Sequence, residues 1–102
     1  MNYHHAYLEE VLLRLAGPTG PAIVARAMVL THKWDTVPGT DPWFGRRWRE
    51  LLQQDASEVR AVVMADTEEG RRLRHTMPFA GVLSNAEKAA LRRVHGRVLA
   101  HR

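Results

Sequence analysis

TDPWFGRRWRELLQQ, residues Thr40 to Gln54, holds two of the chain's three tryptophans, one of its two phenylalanines and a tight group of arginines. Asp41 is placed to cap free backbone N–H groups, and Pro42 suits the first position of a helix. On that helix Phe44, Trp48, Leu51 and Leu52 share one stripe at i, i+4, i+7 and i+8, the spacing of a core-facing side. Trp43 falls outside the stripe, roughly opposite Trp48, beside Arg46, Arg47 and Glu50. Gly45 in mid-helix costs up to about 1 kcal/mol relative to alanine, so it suits a place where another backbone comes close.

Working outward, the flanking segments also read as short amphipathic helices. Residues 3–16 carry Leu8, Val11, Leu12 and Leu15 on one side, with Glu10 and Arg14 as a surface pair. Gly17-Pro18-Thr19-Gly20 stops that helix and Pro21 starts a second over 21–34. This one is apolar over most of its circumference (Ile23, Val24, Ala27, Met28, Leu30, Trp34), which predicts the most buried helix, packed between the first and the third. A fourth is expected over 56–65 with Asp55 as cap, although its β-branched Val59, Val62 and Val63 also suit a short strand. A fifth is expected over 67–76 with Asp66 as cap. Met77 to Leu83 reads as an apolar plug between helices, with Pro78 holding Met77 extended.

The last helix has the sharpest start signal. Ser84-Asn85-Ala86-Glu87 is a capping box, in which serine and glutamate each satisfy a backbone donor of the other. Ala90, Leu91, Val94 and Val98 are expected to face the core, covered by helices two and three, and the helix to run nearly to the C-terminus. The fold predicted is all-α, a compact bundle of about five to six short helices around a single core, with 1–102 as one domain. A chain of 102 residues, 45% hydrophobic and 25% charged, has material for one modest core and not for two.

Charge is uneven. Of the fifteen basic and eleven acidic residues, residues 1–45 hold three and four (net −1), and residues 46–102 hold twelve and seven (net +5). A basic C-terminal half attracts an acidic partner, yet acids interleave with the arginines almost everywhere, the pattern of salt-bridged, solvated faces. There is no cysteine, which excludes disulfides, thiolate catalysis and cysteine-bound zinc. No apolar run approaches the roughly 18 residues that span a bilayer, and MNYHHAYLEE lacks the order of a signal peptide. These features predict a cytoplasmic protein without a membrane partner.

Catalytic chemistry finds no set of residues to carry it. His4, His5, His32, His75, His95 and His101 show neither HExxH nor a paired histidine–carboxylate spacing. Ser57 and Ser84 sit where helix caps belong, and Glu9-Glu10 and Glu68-Glu69 sit near helix starts, where the macrodipole accounts for them. Gly17 to Gly20 lacks the lysine and the strand of a phosphate loop. The sequence therefore predicts a protein without enzymatic activity, metal or cofactor.

Two binding readings remain. In the first, Trp43 is an aromatic anchor and Arg46, Arg47 and Glu50 its mixed-charge rim, the composition of a protein-binding hot spot. In the second, nucleic acid binds the basic half through Arg71, Arg72 and Arg74 of the fifth helix with Lys88, Arg92 and Arg93 of the last. Helices four and five would then form a helix-turn-helix, against which Glu68 and Glu69 at the start of the second helix would repel phosphate. Small cysteine-free chains without catalytic motifs are common among accessory proteins of phages and mobile elements. Some inhibit nucleic-acid machinery, CRISPR effector complexes included. By that analogy of size alone, the expectation is an accessory or inhibitor protein that docks on a protein component of a nucleic-acid-handling complex.

Overall fold

The computed structural model describes residues 3–95. These residues form six α-helices: α1 (Tyr3–Leu15), α2 (Gly20–Trp34), α3 (Pro42–Leu51), α4 (Ala56–Val63), α5 (Glu68–His75) and α6 (Asn85–His95). No strand occurs among the described residues, so the valine run of residues 59–63 is helical. The all-α compact bundle is what the sequence predicts.

Trp48 is the hub. It is fully buried, its indole Nε1 donates to the carbonyl of Thr76 at 2.7 Å, and its ring meets Phe79 edge-to-face at 5.2 Å. A tryptophan removes on the order of 200 Å² from water when buried, and its one N–H must then find an acceptor. The acceptor comes from the segment between α5 and α6, in which Pro78, Phe79 and Leu83 are buried. The Tyr7 hydroxyl donates to the Phe79 carbonyl from the other side at 2.7 Å. The apolar plug is thus pinned by a hydrogen bond from α1 and, at the residue just before it, by one from α3. Around it gather Leu8, Val11 and Leu12 of α1, Ile23 and Ala27 of α2, Leu51, Leu52, Val59 and Val63, and Leu73 of α5.

Helix α2 does pack between α1 and α3. It reaches α3 because Gly45 leaves room: a Cβ there would lie 3.2 Å from the Thr31 carbonyl oxygen. Gly45 is buried, while Phe44, expected in the core stripe, is only half-buried. The approach of α2 rotates the inner side of α3 towards Gly45, Trp48 and Leu51. Nor is α2 the most buried helix. Ile23 and Ala27 face inward, but Val29 is 58% exposed, because α1 and α3 cover opposite flanks and leave the rest of its apolar circumference in solvent.

Caps divide in the same way. Asp41 accepts from the backbone N–H of Trp43 at 2.9 Å. The Ser84–Glu87 box is complete, Ser84 N donating to Glu87 at 2.9 Å and Glu87 N to Ser84 Oγ at 3.1 Å. Asp55 occupies the cap position of α4 but its side chain caps nothing. The cap of α5 is Thr67 rather than Asp66, its hydroxyl accepting from Gly70 N at 2.9 Å, since Asp66 pairs with Arg71 instead.

The largest departure is α6. It contributes no buried residue; Leu91 is half-buried, Ala90 is exposed and Val94 is 69% exposed. Its main neighbour is α1 rather than α2 and α3. Because α1 already turns its inner side to α2 and α4, α6 meets only its outer shoulder. The contact is polar at its start: Arg14 of α1 bonds both Glu10 and Glu87. Val98, and the expected run of this helix towards the C-terminus, lie outside the described residues.

Candidate functional site

The outward side of α3 carries the predicted partner-binding residues. Trp43, in the first turn, is half-buried. Its ring meets Phe44 edge-on at 5.1 Å and lies under the Arg72 guanidinium, 4.4 Å from the ring centroid. Arg72 is held there by Asp41, 3.4 Å away. The residue that caps α3 therefore also aims an arginine of α5 at the indole. Such a cation–π contact contributes about 0.5–1 kcal/mol at an exposed site, and its chief effect is to fix the ring's orientation.

The other predicted members divide into free and committed side chains. Arg46 and Glu50 are exposed on the same stripe, one and two turns beyond Trp43. Arg46 also lines a shallow depression of about 410 Å³ with Asp35, Thr40, Pro42 and Arg49. Arg47 reaches across to Glu69 on α5 at 3.1 Å, and Arg49 to Asp35 at the end of α2 at 3.1 Å. These two arginines clamp α3 to its neighbours. Their Nε (Arg47) and Nη1 (Arg49) are buried and have no hydrogen-bond partner among the described residues.

Ion pairing also reshapes the predicted nucleic-acid set. Arg71 pairs with Asp66 and Arg72 with Asp41. Arg74 donates to the carbonyls of Val63 and Ala65, at 2.6 and 2.9 Å, and so closes the C-terminal end of α4. The first turn of α5, which a recognition helix would present to a groove, is turned to α3 by the Arg47–Glu69 pair. Lys88, Arg92 and Arg93 stand apart from these, on α6 against α1. No ion pair is formed by any of the three among the described residues, and Arg92 lies over the Tyr3 ring at 4.8 Å.

A second feature escaped the sequence reading. Between α1, the plug and α6 lies a cleft of about 350 Å³ whose lining includes Tyr3, Tyr7, Met77, Phe79, Lys88 and Arg92. Its signal was present: Tyr3 and Tyr7 are four apart, as are Lys88 and Arg92, so each pair shares a helix face. What the spacing did not say is that α1 and α6 are neighbours.

Among the described residues, no group of three or more histidines, aspartates or glutamates is placed to hold a metal ion, and no helix is long and apolar enough to cross a membrane. His101 lies outside them. A strongly shifted carboxyl at the start of α6 is structural. The Arg14 guanidinium, helped by the Ser84 backbone and hydroxyl, holds the Glu87 carboxyl down at about 2, and Glu87 in turn raises Arg14. Compared with protein-family models, curated proteins and solved structures, the chain finds no match in any of the three.

Proposed function

We propose that this chain is a non-enzymatic docking module whose partner is a protein, bound by the outward side of α3 and the adjoining edge of α5. The observation that carries the reading is Trp43 held flat beneath Arg72, with Asp41, Arg46 and Glu50 exposed around it. An oriented indole loses little freedom on binding, and a rim of both charge signs complements a protein surface better than a uniform phosphate chain. A protein component of a nucleic-acid-handling complex, engaged by an accessory or inhibitor chain, remains the partner class proposed.

Direct nucleic-acid binding is the second reading, supported by Lys88, Arg92 and Arg93 on α6, which form no ion pair among the described residues. Arg71, Arg72 and Arg74 support it less, being engaged with Asp66, Asp41 and backbone carbonyls.

The test is capture from the native host with tagged wild type, Arg46→Glu and Glu50→Lys, with and without nuclease. Both positions are exposed, so the variants should keep the wild-type thermal midpoint. The expected result is a protein retained by wild type after nuclease treatment and lost from both variants. Loss on nuclease treatment would favour the second reading. Equal capture by the variants would remove the α3 face from consideration.

A further inference from the structure

We propose that the cleft between α1 and α6 binds a nucleoside monophosphate, at a site separate from the α3 face. The cleft is divided by chemistry. Tyr7, Met77 and Phe79 supply an apolar and aromatic part, and Lys88 and Arg92 a cationic part. Tyr7 is not a loose wall, because its hydroxyl is tied to the Phe79 carbonyl at 2.7 Å. Arg92 is laid against the Tyr3 ring at 4.8 Å, which orients the guanidinium without neutralising it.

Charge sets this cleft apart from the salt-bridged arginine faces, as it does the surroundings of Arg26 and Arg46, which also form no ion pair among the described residues. Arg14, Arg47, Arg49, Arg60, Arg71 and Arg72 are each matched to a carboxylate. Lys88 and Arg92 form no ion pair among the described residues, and no carboxylate lines the cleft. Two uncompensated cations four residues apart on α6 sit on one face, with Cβ atoms about 6 Å apart. That spacing and charge suit a phosphate monoester, which carries about −1.5 to −2 at neutral pH, better than a single carboxylate. The half-buried Tyr7 ring, backed by Met77 and the buried Phe79, suits the stacking of a planar base. At about 350 Å³ the cleft is at the small end of ligand pockets, which begin at about 300 Å³, a size that suits one nucleotide.

Calorimetric titration of the full chain with AMP tests this, alongside adenosine, inorganic phosphate and a short single-stranded oligodeoxyadenylate. AMP should bind saturably, with adenosine and phosphate each at least about tenfold weaker, a difference of about 1.4 kcal/mol. Lys88→Gln and Arg92→Gln should each weaken AMP by about tenfold while keeping the thermal midpoint. Arg46→Glu, on the other face, should change nothing. No saturable AMP binding at millimolar concentration would overturn the proposal, as would phosphate binding as tightly as AMP. So would an undiminished affinity in both α6 variants, or binding of the oligonucleotide alone. Because Arg46→Glu leaves this cleft intact, failure here and failure of the docking reading are told apart.

Discussion

Helices α3 and α6 make an instructive pair. Both are short, both segregate apolar from basic residues, and both begin with a side-chain cap that the sequence announces. Yet α3 buries Trp48 and Leu51 completely, whereas α6 buries nothing. The difference lies outside either helix. α3 is enclosed by α2 on one side and by the plug on the other, and its arginines reach to Asp35 and Glu69. α6 has one main neighbour, α1, and meets it partly through an arginine. An apolar stripe is a request for cover, and tertiary placement decides whether it is met.

The largest effect expected from this contrast is at Trp48. Trp48→Ala empties a fully buried site and orphans the Thr76 carbonyl, and should cost about 3–5 kcal/mol in chemical denaturation. At the corresponding apolar position of α6, Val94→Ser should stay within about 0.5 kcal/mol. Were Val94→Ser to cost as much as a core truncation, α6 would belong to the core and the contrast would collapse.

Next comes a close approach within the α4–α5 pair. A Cβ on Gly70 would stand 2.5 Å from the Ala65 carbonyl oxygen, a backbone atom that cannot swing aside. Gly70→Ala should therefore destabilise by about 1–3 kcal/mol, the cost of overpacking, even though alanine is the better helix former. A stabilised variant would show that the turn between α4 and α5 is looser than the α2–α3 crossing at Gly45.

What could be read in advance follows interaction range. The Ser84–Glu87 box, the Asp41 cap and the plug at Pro78 and Phe79 depend on residues a few positions apart, and the sequence states them directly. Gly45 was readable as a close approach, without saying that Thr31 would be what approaches. Asp55 stands at the cap position of α4 as expected, without the side-chain bond. Asp66 misled because a cap position attracts several residue types, and the neighbouring Thr67 took the role while Asp66 found Arg71. Phe44 and Val94 misled because a helical wheel shows which residues share a side and not what covers that side. The candidate surfaces were least legible. Arg14 meets Glu87 across 73 positions and Arg60 meets Glu9 across 51, so which arginines are spoken for is a property of the packing.

A smaller effect is expected where α6 is locally secured. Ser84→Ala removes the hydroxyl that accepts from Glu87 N and should cost about 1 kcal/mol. An unaffected thermal midpoint would mean that α6 contributes little to the cooperative unit, which would sharpen its difference from α3 further.

The smallest effect expected is one of pH, and it asks what holds α6 in place. Glu87 is drawn down from an ordinary 4.5 to about 2, first by Arg14 of α1 and then by the Ser84 donors. A carboxyl lowered in the folded state binds its proton less readily there than in the unfolded chain, so its stabilising effect is complete above about 4.5. It fades as pH falls through about 2, below which folded and unfolded forms are both protonated and nothing differential remains. Across that window the thermal midpoint of the wild type should fall more steeply than that of Glu87→Gln, which keeps a capping side chain but has no charge to lose. Because the pair is solvent-exposed, added salt should narrow the gap between the two curves. The Arg49–Asp35 and Arg47–Glu69 pairs of α3 instead add to a core already closed around Trp48. If wild type and Glu87→Gln descend in parallel, the Arg14–Glu87 pair does not secure α6, and the half-buried Leu91 must hold it by apolar contact, as Trp48 and Leu51 hold α3.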